Sequence, residues 1–138
     1  MADTIYTSFK RDIMNGAIDL DTDTIKVMLV TSSYTVSAAH TKRSDITNEV
    51  SGTGYTAGGT AIGSPTVTNV STNGVFDGSD VSWTTSTITA RGAVLYKSRG
   101  GASSADELVC YLDFGTDKVS TAGTFTISWN ASGILNLA

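Results

Sequence analysis

The spacing of apolar residues changes several times along the chain, and each change marks an element. Ile5, Tyr6, Phe9, Ile13 and Met14 recur at three- and four-residue intervals, which predicts an amphipathic helix. Thr4 or Asp3 supplies a cap and Asn15-Gly16 a stop, so the helix is expected over residues 4–15. A helix of about 12 residues is marginal alone, so its stripe must dock on the domain or on a neighbouring subunit.

Residues 24–31, TIKVMLVT, are β-branched and almost wholly apolar, as expected of a strand buried on one face and at least partly covered on the other. Periodicity then weakens over residues 32–63, with a possible helical turn near Ser44 to Glu49. A long ordered excursion of this kind usually carries function, which makes it the first candidate contact surface.

After Pro65 the pattern is one of short strands. Val67 lies in the first, Asn73-Gly74 reads as a turn, and Val75-Phe76 begins a brief segment ending at Asp77-Gly78. Val81 and Trp83 alternate in the next. In ITARGAVLYKS, strict alternation places Ile88, Ala90, Gly92, Val94 and Tyr96 on one face. In LVCYLDFG it places Leu108, Cys110, Leu112 and Phe114 together. Residues 88–98 and 108–115 therefore read as an antiparallel pair, and the intervening RGGASSADE as a long exposed tip and second contact surface. Phe125, Ile127 and Trp129 alternate in GTFTISWN, and ILNLA follows a Ser132-Gly133 turn. About seven or eight strands with one short helix indicate an all-β fold, an antiparallel sandwich or small barrel. The 138 residues make a single domain.

Composition sharpens this picture. Charged residues are only 16% of the chain, against a usual value of about 25%. Hydroxyls replace them, with 22 Thr and 17 Ser. The net charge of -4 argues against sequence-independent nucleic-acid binding, which relies on Lys and Arg at the phosphates. A single cysteine allows no intramolecular disulfide, and the start of the chain lacks the pattern of a cleavable signal. No apolar run is long enough for a membrane span, so a soluble protein is expected.

Each possible chemical site fails a requirement. Asp19, Asp21 and Asp23 have the odd spacing of a calcium loop, but its sixth and twelfth positions are Thr24 and Val30 rather than Gly and an acid. Gly52, Gly54, Gly58 and Gly59 lack the spacing and the flanking elements of a phosphate loop, and read as positive-φ glycines folded around Tyr55. His40 has too few partners for a metal site or a triad. Cys110, between Val109 and Tyr111, reads as a core filler. Trp83, Trp129, Tyr96, Tyr111, Phe114 and Phe125 could form stacking platforms, but alternation turns most of them inward. No catalytic, metal or cofactor-binding residue is expected, and no enzyme.

The segments SFKRDIMNGAIDLDTDTIKVMLV, NEVSGTGYTAGG, ITARGAVLYK, YLDFG and FTISWNASGIL, in that order, resemble a family of small virion structural proteins of tailed bacteriophages. The resemblance runs over nearly the whole chain. It implies a capsid decoration (cement) protein or a small tail, neck or fibre-associated component. By analogy with decoration proteins it implies a homotrimer, with the major capsid protein and copies of itself as partners, located in the virion. A carbohydrate-binding module that contacts host glycans through an exposed aromatic and the 99–107 loop is the expectation from another class.

Overall fold

The computed structural model describes residues 3–138. Its elements are β1 (Thr4–Ile5), α1 (Thr7–Met14), β2 (Ile25–Val30), β3 (Thr60–Ala61), β4 (Thr66–Val70), β5 (Asn73–Asp77), β6 (Val81–Lys97), β7 (Leu108–Ile127) and β8 (Leu135–Leu137). They form two antiparallel sheets, a larger one in the order β1-β7-β6-β2-β3 and a smaller one in the order β4-β5-β8. The result is a sandwich-like all-β fold, as the strand pattern predicts. No helix among the described residues is long and apolar enough to cross a membrane.

Beside β2 the larger sheet is buried on both faces, whereas the arms of β6 and β7 beyond it expose one face, and β2 shows why its sequence is so apolar. Ile25, Val27 and Leu29 enter a core shared with Phe9 of α1, Phe76 of β5, and Trp83 and Phe125 of the long strands. Met28 and Val30 point the other way, into a second core with Tyr6, Tyr34, Val94, Tyr96, Leu108 and Tyr111. Val36 and Ile46 pack on that second core, so the excursion after β2 acts as its cover. Within the excursion, a single 3-10 turn at Arg43–Asp45 and the two residues of β3 are the regular structure. Fully burying an aliphatic side chain stabilises by about 1.5–3 kcal/mol, which makes a two-sided strand such as β2 the energetic centre of the fold.

Strict alternation along β6 does not hold. Ala90 pairs with Lys118 but Gly92 pairs with Asp113, so Arg91 alone spans residues 114–117 of β7. This bulge inverts the phase. Ile88 and Ala90 face the first core, as do Ala93 and Leu95, whereas Val94 and Tyr96 face the second. Gly92 is required there, because a Cβ would sit 2.6 Å from the Tyr111 ring and 2.7 Å from the Leu112 carbonyl oxygen. A second shift, from Leu95↔Cys110 to Tyr96↔Leu108, leaves Val109 over and turns Leu108 away from Cys110. Of the expected pairing of 88–98 with 108–115, residues 92–96 do pair with 108–113, but 88–90 pair with 118–120, because β7 continues to Ile127, with Phe125 and Ile127 buried and Trp129 beyond it half-buried.

Three other expectations need correction. The helix begins at Thr7, not Thr4, because Thr4 and Ile5 pair with Tyr111 and Cys110 at the sheet edge. The Asp3 carboxylate caps nothing in the helix; it accepts the Asp113 N–H at 2.7 Å. Tyr6 is the N-cap residue, extended and fully buried, while Met14 is 87% exposed. The β4–β5 turn is Ser71-Thr72, and Asn73-Gly74 belongs to β5. Ser71 takes the positive φ of 56°. The observed turn sets buried Val75 against Thr68 and buried Phe76 against Val67. Finally, the 99–107 tip is only partly exposed, for Asp106 and Glu107 are buried.

Candidate interaction surface

Between α1, the turn that follows it and the smaller sheet, the layers do not close. They leave an apolar groove of about 670 Å³, floored by Phe9, Ile18 and Phe76 and edged by Ile5, Val67 and Leu137. These edge residues are 41%, 48% and 66% exposed, an arrangement that leaves apolar surface in water. The rim carries Lys10 on one element and Asp19 and Asp21 on another. Sequence reading missed this site because its residues come from six separate elements, β1, α1, the turn after it, β4, β5 and β8. The available signal was TVTNV at 66–70, an uncharged strand that is exposed at every position.

The loops beside the second core are braced. Arg43 meets Asp106 at 2.8 Å and lies over the Tyr96 ring at 5.2 Å from its centroid. Arg99 donates two hydrogen bonds to Glu107, at 2.8 and 2.6 Å, and its backbone N–H donates to Asp106. Those guanidinium bonds hold the Glu107 carboxyl below the usual carboxylate range. The Thr41 and Lys42 N–H groups do the same to Asp45, which they cap at 2.9 and 3.1 Å. Together these bonds tie the 40–45 segment to the tip.

The glycine-rich loop is held as tightly. Tyr55 donates to Glu49 at 2.6 Å and accepts the Leu29 N–H at 2.9 Å; burial and the glutamate raise its phenol. Gly54, Gly58 and Gly59 have positive φ, as expected around Tyr55, but Gly52 does not; a Cβ there would strike the Thr87 carbonyl oxygen, as one on Gly59 would strike that of Val27. Tyr96 closes the loop by donating to the Gly58 carbonyl at 2.6 Å, with its phenol pushed up to about 12 by burial. No strand-loop-helix phosphate cradle results.

The other residues singled out in the sequence are equally occupied. His40 Nδ1 shares a hydrogen bond of 2.8 Å with Tyr34, which shares another with Tyr6 at 3.0 Å, so the imidazole fastens the cover of the second core. Cys110 is 2% exposed and burial pushes its thiol up to about 12. Asp23 accepts the Asp19 N–H at 2.7 Å and pairs with Lys97 at 2.9 Å, which makes DLDTDT a self-closed turn. Among the described residues no cluster of His, Cys, Asp or Glu is placed to hold a metal ion. The six large hydrophobic side chains exposed among them, Ile5, Met14, Val67, Val70, Val119 and Leu137, are all aliphatic.

No protein-family model matches the chain, and searches of curated proteins and of solved structures returned no match.

Proposed function

We propose that the protein is a structural component of a bacteriophage virion, a capsid decoration protein that binds between capsid subunits and stabilises the head. Its role is mechanical and no catalysis is involved. The observation that carries the reading, beside the ordered resemblance along the chain, is an exposed apolar groove on a β-domain. Such a part contributes stability through shape and repetition. Each contact is modest, and many copies bridging neighbouring capsid subunits add their contacts by multivalency. The partners in this reading are the major capsid protein and further copies of the chain, with the homotrimer as the assembly implied by the resemblance.

A glycan-binding role finds less support, since a sugar platform needs an exposed aromatic ring and the exposed apolar residues are aliphatic. The test of the proposal is cosedimentation of the purified protein with heads that lack it. Wild type is expected to sediment with the heads, and Ile5→Asp and Leu137→Asp, both at exposed positions, are expected to stay in the supernatant while melting as wild type does. Failure of the wild-type protein to bind any head would overturn the reading.

A further inference from the structure

We infer that β4 is a self-pairing edge, along which two copies of the chain join antiparallel about a two-fold axis through Thr68. The sheet order β4-β5-β8 leaves the outer side of β4 open, and its backbone bonds only to β5. Counting back from the two-residue turn, Val70, Thr68 and Thr66 form the hydrogen-bonded pairs with Asn73, Val75 and Asp77. Val67 and Asn69 therefore turn their N–H and C=O groups outward.

Exposed edges are normally protected by charge, proline, bulges or brevity. β1 and β3 are two residues long and β8 is three; β7 beyond β1 carries Asp117 and Lys118, and β6 beyond β2 is broken by register shifts, whereas β4 has five residues, TVTNV, with no charge, proline or bulge. The occupant such an edge selects is a strand of similar character, and β4 fits itself. With the axis at Thr68, Val67 and Asn69 of one copy face Asn69 and Val67 of the other as hydrogen-bonded pairs, each exchanging both backbone bonds. Thr68 meets its own counterpart in the closer, non-hydrogen-bonded pair, with Cβ atoms about 4.5–5.5 Å apart. Each copy carries a net charge of -4, but none of it lies on this strand, so nothing repels at the seam. Three strands become six across the axis, and the two apolar grooves lie on the same continuous sheet.

The seam stands on the geometry of β4 and not on the capsid reading, and its test uses the purified protein without capsids. Sedimentation equilibrium of wild type is expected to show twice the mass of Thr68→Lys, and Thr68→Glu should match Thr68→Lys. Mixing the two charge variants is expected to restore the doubled mass, because the axis places opposite charges face to face. Thr68→Cys should cross-link to itself under mild oxidation, many times faster than Thr116→Cys on the exposed part of β7; native Cys110 is buried and will not interfere. The proposal is overturned if the charge variants keep the wild-type mass, if mixing them restores nothing, or if the two cysteine variants cross-link at equal rates. Capsid binding that persists without the doubled mass would overturn the seam alone.

Discussion

The guanidinium of Arg43 and the carboxylate of Asp106 lie 2.8 Å apart although 63 positions separate them in the chain. Asp106 is 1% exposed and the Arg43 side chain 22%, so the pair closes the covering segment over the tip from the inside. Removing the cation leaves a buried carboxylate with only the Arg99 N–H to satisfy it. Arg43→Met is expected to cost about 2 kcal/mol of unfolding free energy, and Arg43→Met with Asp106→Asn clearly less, because the uncompensated charge is gone. Urea titrations of the single and double variants measure both.

Acid should loosen the same region. The folded-state values of Glu107 and Asp45 both lie below their ordinary ones, 4.5 and 3.8. A depressed carboxylate contributes stability that is present above its unfolded value and is lost as pH falls through its folded one. The melting temperature is therefore expected to hold down to about pH 5 and to drop below about pH 4. Glu107→Gln should start lower and flatten part of that drop. Thermal melts from pH 7 to pH 2 decide it.

Gly59 and Gly100 have similar positive φ, 75° and 81°, but different surroundings. A Cβ on Gly59 would run into the backbone of β2, while nothing lies within 4 Å of one on Gly100. Gly100→Ala is expected to cost about 1 kcal/mol for the left-handed conformation alone. Gly59→Ala must also displace β3 from β2 and should cost several times as much. Paired denaturation curves compare them.

Cys110 should be inert in the folded protein. Its thiol is buried and pushed up to about 12, so the thiolate that reacts with disulfide reagents is scarce and shielded. Labelling at pH 8 is expected only at the rate at which the chain opens, and it should become immediate in denaturant. Rapid labelling of folded protein would contradict the packing of β7 against the first core.

Much of the fold was legible because its elements have single periods. The almost wholly apolar run of β2 announced a strand buried on one face and at least partly covered on the other, and the alternation of Phe125 and Ile127 with threonines announced a one-sided one. What alternation could not carry were the points where one residue opposes several: Arg91 against 114–117, and the surplus Val109. A bulge depends on the partner strand, so neither strand records it alone. The helix start was hidden for a related reason, since the open edge of β7 takes up Thr4 and Ile5 by backbone pairing that no side-chain pattern reports. The loops looked exposed because they are polar. Their carboxylates Asp106 and Glu107 are buried by arginines distant or shielded in sequence, and only the fold brings these together. The groove was illegible for the same reason, while the positive φ of Gly54, Gly58 and Gly59 and the burial of Cys110 were legible in the residue types and their neighbours, and the ordinary φ of Gly52 was not.

Where this shape is used is decided by the amount of the chain in purified phage particles relative to the major capsid protein, measured by quantitative mass spectrometry. A decoration protein is expected in amounts comparable with the capsid subunit itself. A trace amount fitting one small ring would place the chain at the neck or tail, and its absence from the particles would contradict the account.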